Sequence, residues 1–298
     1  MLSTVQSTSE SWTLPLPLTL AMLLSAILYL RGWLHLRSAR VNVVPAWQAC
    51  SFLLGLFLIW VAIGSPLAAF DEKLLTVHMV QHLLLMTLAP PLILLGAPIM
   101  PILHGLPRHL VQGFLGPLFR WRPAQHFGRM LSQPVFCWLA AASALVAWHI
   151  PAAFTLALQS ESWHVVEHTC FLAAGLLFWW PVIQPWPSAS TRPGWSILLY
   201  LFLATLPCDI LSGFLVFSER VAYPVYFSTQ QQFGLSVLED QQYAGALMWT
   251  CVTIVYLVPA VILTTQLLAR DPRQHELPHL GLRDIAVAQT DPQGVEIL

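Results

Sequence analysis

Long apolar runs separated by short polar stretches divide this chain. A helix that crosses a bilayer needs roughly 20 mostly apolar residues. Seven segments come close to that length: Leu14–Leu34, Trp47–Gly64, Leu74–Leu95, Pro134–Ile150, Trp163–Ile183, Trp195–Phe217 and Tyr243–Leu268. The second and fourth are short and can extend by a few residues. Trp33, Trp47, Trp163, Trp180 and Trp195 mark several ends, as aromatic side chains do at membrane–water interfaces. The pattern predicts an all-α polytopic membrane protein. Its seven transmembrane helices occupy 14–268, between a short outer N-terminal segment, 1–13, and a polar cytoplasmic tail, 269–298.

The charges give the orientation. With seven spans, Arg31, Arg37, Arg40, Arg108, Arg120, Arg122, Arg129, Arg192, Arg270, Arg273 and Arg283 share one side, and only Lys73 and Arg220 fall on the other. Basic residues favour the cytoplasmic side, so the N-terminus is expected outside and the C-terminus inside. An even number of spans would scramble this partition. The longest loop, 96–133, mixes Pro, Gly and Arg with Phe114, Leu118, Phe119 and Trp121, a composition that suits an interfacial segment.

Composition narrows the class further. Charged residues make up 9% of the chain and hydrophobic residues 57%, far from the roughly 25% charge of soluble domains. A net charge of −1 with no basic stripe gives no footprint for a nucleic acid. The five cysteines, Cys50, Cys137, Cys170, Cys208 and Cys251, form no CxxC pair and read as buried small side chains. No Lys or Arg precedes Trp12, so the basic start of a signal peptide is missing. The first apolar run is expected to stay in the mature protein.

Ionisable side chains are costly inside a bilayer and point to function. His78 and His82 stand four apart on the third run, one turn from each other on one helix face, and Met86 continues that face. His164 and His168 repeat the spacing on the fifth run, with Glu167 between them. His149 ends the fourth run in the string WHIP, where Pro151 is expected to stop the helix. Following the traverses, these groups lie in the outer half of the bilayer. Cys208 and Asp209 on the sixth run, and Asp240 and Met248 on the seventh, fall at a similar level. Imidazole with thioether or thiolate suits copper, above all Cu(I), whereas imidazole alone suits Cu(II), zinc or haem iron. The metal candidates are His78, His82, His164 and His168. Further candidates, as ligands or as groups that orient ligands, are His149, Met86, Met248, Gln81, Glu167, Asp209 and Asp240.

Each residue alone also has an ordinary explanation. A membrane histidine bridges helices by a hydrogen bond more often than it binds metal, and a single Met or Cys usually only packs. Asp240 fits the start of a helix, where the dipole favours a carboxylate. The string HVVEH matches the inverted zinc-protease pattern, but five residues match easily by chance and no third-ligand motif accompanies them. The metal reading rests on convergence.

With these residues in place, the chain resembles the CtaG family of cytochrome c oxidase assembly factors, first associated with caa3-type oxidase and distinct from the single-span copper chaperone that has shared that name. The resemblance runs from about Trp47 to Leu268. It is carried by HMVQHLLLMTLAPPLILLGAP (His78 to Pro98), by WHIP (Trp148, His149, Pro151), by WHVVEH leading to FWWP (Trp163 to Pro181), and by DQQYAGALMW (Asp240 to Trp249). A Pro- or Gly-containing continuation is expected after Trp249, where this chain reads TCVTIVYLVPA; the histidine pattern is untouched by that departure.

The resemblance implies assembly rather than turnover, and no enzyme. It implies transient copper binding and help in delivering copper to the CuB centre of oxidase subunit I. The implied partners are subunit I, within a bacterial plasma (inner) membrane, and copper chaperones on its outer side. Two other readings stay open at this point: a haem-binding or haem-handling membrane protein, and a scaffold for subunit I whose histidines only bridge helices.

Overall fold

The computed structural model describes residues 14–38, 44–183, 194–228 and 234–269. Arg40, Arg192, Arg270, Arg273 and Arg283, the segment 1–13 and all of the tail but Ala269 lie outside the described residues. Within those described, regular structure is entirely helical.

The principal helices are α1 (Leu16–Ser38), α2 (Ala46–Gly64), α3 (Leu75–Leu95), α4 (Ile99–Gly105), α5 (108–120), α6 (Arg122–Leu131), α7 (Pro134–Trp148), α8 (Pro151–Gln159), α9 (Glu161–Ile183), α10 (Gly194–Phe217) and α11 (Val237–Ala269). Six of them, α1, α2, α3, α9, α10 and α11, are long and apolar enough to cross a membrane. A seventh arises if α6 and α7, which meet at 66°, count as one broken span. The chain is thus a polytopic membrane protein with six to seven spans.

The fourth span is where the observed helices depart most from expectation. α7 has 15 residues, about 22 Å at 1.5 Å per residue, short of the ~30 Å hydrocarbon core. Pro151 ends it but also begins α8, because a proline at the first helical position loses no bond that the helix would have made. α11 starts at Val237, six residues before the apolar run, with Glu239 and Asp240 in its first turn. Carboxylates belong there, since the dipole and the free N–H groups favour negative charge.

α3 is the most buried span and packs against α2, α9 and α11. Its middle, Leu83–Leu88, is a π-helical bulge. Pro90 and Pro91 follow, and neither can donate the backbone bond an α-helix requires; the wider turn absorbs the mismatch. α9 comes so close here that a Cβ on Gly175 would stand 2.6 Å from the Met86 carbonyl oxygen. At the far end, α1 and α4 meet backbone to backbone through Gly32 and Gly105, where a Cβ would collide with the Pro101 and Leu28 carbonyls. Small residues permit such approach between membrane helices.

Below the histidines, Phe178 stacks on Tyr200 and Tyr256 at 5.1 and 5.2 Å between ring centres. The Tyr200 hydroxyl donates to the Phe178 carbonyl at 2.8 Å, fastening α9 to α10. The segment 96–133, expected to be interfacial, is a set of short helices with Phe114, Phe119, Trp121 and Phe127 exposed.

Candidate metal centre

One end of the bundle collects the polar side chains. His78 and His82 leave successive turns of α3, and His164, Glu167 and His168 leave the first two turns of α9. His149 caps the end of α7. The five imidazoles form one cluster. Ring centres lie 4.3 Å apart for His78 and His82, 4.2 Å for His164 and His168, and 5.5 Å for His78 and His164. His149 joins at 5.8 Å from His82.

Glu167 sits at the centre and has no solvent exposure. Its Oε1 lies 3.6 Å from His78 Nε2 and 3.4 Å from His82 Nε2, and its Oε2 lies 4.0 Å from His164 Nε2. These separations are too long for good hydrogen bonds. Eight buried polar atoms here have no hydrogen-bond partner: both ring nitrogens of His78 and of His82, both carboxylate oxygens of Glu167, and Nε2 of His164 and of His168. An unsatisfied buried polar group costs about 1–3 kcal/mol, so such a concentration needs a reason. Two ligands each ~2.1 Å from a tetrahedral ion stand ~3.4 Å apart, which is the spacing seen. One trio of potential ligand atoms, from His78, His82 and Glu167, lies within 4.8 Å of one another.

A second trio within the same limit joins Asp71, His78 and His164. Asp71 Oδ2 is 3.5 Å from His164 Nε2. Ser65 caps a 3-10 turn, Pro66–Phe70, that brings Asp71 to the mouth of the cluster. The Tyr226 hydroxyl donates to the Asp71 carbonyl at 3.0 Å, and the Tyr223 hydroxyl donates to the His149 carbonyl at 2.9 Å. Burial pushes both phenols up from their ordinary range, with nearby carboxylates adding to it, so they remain protonated donors. Phe154 and Phe171 pack on His78 and His82 at 4.8 and 4.1 Å, walling the cluster with apolar surface.

The other expected residues take varied places. Met86, Met248 and Cys208 line a small cavity of about 50 Å³ next to His82 and His149. Asp240 closes the amino end of α3: its carboxylate accepts from the backbone of Leu75 at 2.6 Å and of Thr76 at 3.2 Å, and from the Thr76 hydroxyl at 2.6 Å. It holds the helix that carries His78 and His82. Gln81 donates to the Ala62 carbonyl at 2.9 Å and ties α3 to α2. Asp209 is half-buried on α10, and no hydrogen bond or ion pair links it to a described histidine.

Asp71, Met79, Tyr223 and Tyr226 are absent from the sequence-derived set. The acidic cluster FDEK before the third run was the available signal for Asp71. The two tyrosines lie in a loop whose fold the pattern did not predict.

A wide apolar groove of about 1040 Å³ runs between α7 and α10 and reaches His149 from the side of the bundle. His149, Trp138 and Pro207 line both this groove and the small cavity.

No solved structure matches this chain. Among curated proteins, it is 28% identical over 258 residues to an uncharacterized protein of Mycobacterium bovis and, at the same identity and length, to one of Mycobacterium tuberculosis. It is 24% identical over 251 residues to one of Mycobacterium leprae. Each alignment covers 83% of this chain but only 37–38% of the relative, so the chain spans under two fifths of these proteins' length. The model of the cytochrome c oxidase caa3 assembly factors matches residues 27–270, which include all the spans but the first turns of α1 and every residue of the histidine cluster. This chain belongs to the family of cytochrome c oxidase caa3 assembly factors.

Proposed function

We propose that this protein acts in cytochrome c oxidase assembly by binding copper transiently among His78, His82, His164, His168 and Glu167, and by helping its delivery to the CuB centre of subunit I. One observation carries the reading. Glu167, wholly buried, faces the Nε2 atoms of His78 and His82 at 3.4–3.6 Å with no hydrogen bond to either. An ion placed among these atoms supplies the missing partner. A set of imidazoles and carboxylates without a closed cysteine cage binds copper but also lets it go, as cargo transfer requires.

The same reading places the N-terminus outside a bacterial plasma membrane. In chain order, Arg31 and Arg37 fall in the last turns of α1, and Arg108, Arg120, Arg122 and Arg129 follow the end of α3 away from His78, whereas Lys73 just precedes α3 and Arg220 just follows α10; basic residues favour the cytoplasm. The cluster then meets copper arriving from outer chaperones, and the groove at His149 opens toward a recipient within the bilayer. The protein is no enzyme on this reading: Glu167 is an ion partner, not a general base. Neighbouring imidazole rings around Glu167, with centres 4.2–5.8 Å apart, crowd too closely for a porphyrin to enter among them, which favours copper over haem.

Oxidase activity and oxidase copper content in cells carrying His82→Ala or His168→Ala test the proposal. Both are expected to fall. Normal oxidase in both variants would leave the histidines as helix-bridging groups in a scaffold for subunit I.

A further inference from the structure

His149 and Met79 meet in a way that hydrogen bonding does not explain. His149 Nδ1 lies 2.7 Å from the Leu145 carbonyl oxygen. A carbonyl only accepts, so Nδ1 carries the hydrogen and the neutral ring keeps its lone pair on Nε2. That lone pair faces Met79 Sδ at 3.4 Å. A thioether also has only lone pairs to offer. Two buried electron-pair donors thus point at each other, with Met79 0% and His149 5% exposed. Fixing one imidazole nitrogen on a backbone carbonyl is how proteins orient a metal-binding histidine. The ring of His82, whose two nitrogens are both without hydrogen bonds, is centred 5.8 Å from that of His149.

From this we infer that His149, Met79 and His82 form a second, softer metal position that takes a monovalent d10 cation, Cu(I) being the physiological choice. The inference rests on the metal-handling function proposed above and adds a ligand set to it. Two imidazoles and a thioether favour soft Cu(I) over hard divalent ions. The first position, His78, His82 and Glu167, offers a carboxylate oxygen and suits a harder ion. His82 belongs to both, so a Cu(I) ion passes from one to the other without losing every ligand and with no change of oxidation state. The soft position lies on the side of the cluster facing the small cavity and the lateral groove, through His149.

The test is X-ray absorption at the copper edge on the full chain, purified in mild detergent and loaded anaerobically with Cu(I). Wild-type protein is expected to show a sulfur neighbour, replaced by selenium when the methionines are selenomethionine. Met79→Leu, which conserves volume, is expected to lose that neighbour and to bind Cu(I) about tenfold or more weakly against a competing chelator. Met86→Leu and Met248→Leu are expected to keep it. Coordination by nitrogen and oxygen alone in the wild type, no selenium signal, or sulfur persisting in Met79→Leu overturns the soft position and leaves the first position standing. No Cu(I) uptake at all overturns the soft position, and no uptake of Cu(II) or Zn(II) by the same protein overturns the first position as well.

Discussion

The carboxylate of Asp240, on the last helix, accepts a 2.6 Å hydrogen bond from the backbone N–H of Leu75, at the start of α3. Residues 165 positions apart thereby close the helix end just above His78. The bond, with those to Thr76, serves the free N–H groups that every helix start exposes. Asp240→Ala is expected to lower stability by about 1–2 kcal/mol, read as an earlier thermal transition in detergent. Asp240→Asn, which keeps one acceptor, is expected to lose less. Equal losses would show that charge, not capping, is what Asp240 supplies.

Gly175 governs how closely α9 approaches α3. A Cβ there would stand 2.6 Å from the Met86 carbonyl and 2.7 Å from a Pro90 ring carbon. Gly175→Val is expected to push the helices apart, at a cost of about 1–3 kcal/mol, and to separate Glu167 from His78 and His82. Both stability and metal content should drop. Gly213 on α10 has nothing within 4 Å of such a Cβ, so Gly213→Ala should match or exceed wild-type stability, by up to ~1 kcal/mol.

Much of this arrangement is legible in the sequence, for physical reasons. The spans follow from apolar runs that no water-facing fold would tolerate. The pairs His78/His82 and His164/His168 follow from the helical period, which sets residues four apart on one face. Met79 is different: one residue from His78, it leaves the helix about 100° away and meets His149 at the end of α7, a contact that only the tertiary arrangement creates, with α7 held against α9 and α10. Asp71 is seven residues from His78 in an irregular segment, and the 3-10 turn decides where it points. α8 is hidden because a proline that stops one helix looks the same as a proline that starts another.

Asp71 is expected to guard entry. Its Oδ2 is 3.5 Å from His164 Nε2, and His164 is the most exposed of the five imidazoles. Asp71→Asn keeps shape and removes charge. Divalent metal binding, followed by calorimetry with Zn(II) as probe, is expected to weaken about tenfold. Tyr226→Phe, which frees the Asp71 carbonyl from its hydroxyl partner, should cost about 1 kcal/mol of stability.

Glu167→Gln separates two roles for the central carboxylate. As an ion partner, its charge offsets that of the cation, and its loss should weaken metal binding about 10-fold to 100-fold with helix content unchanged. Retained metal together with lost cellular function would instead favour a general-base role, as in metal-dependent proteolysis.

The most direct measurement is metal analysis with an absorption spectrum on protein purified in mild detergent without chelators, beside a His82→Ala/His168→Ala double variant. Copper bound by the wild type, lost in the double variant and unaccompanied by a Soret band, is the predicted result. Wild-type protein that takes up no copper, or a double variant that holds as much as the wild type, would contradict it.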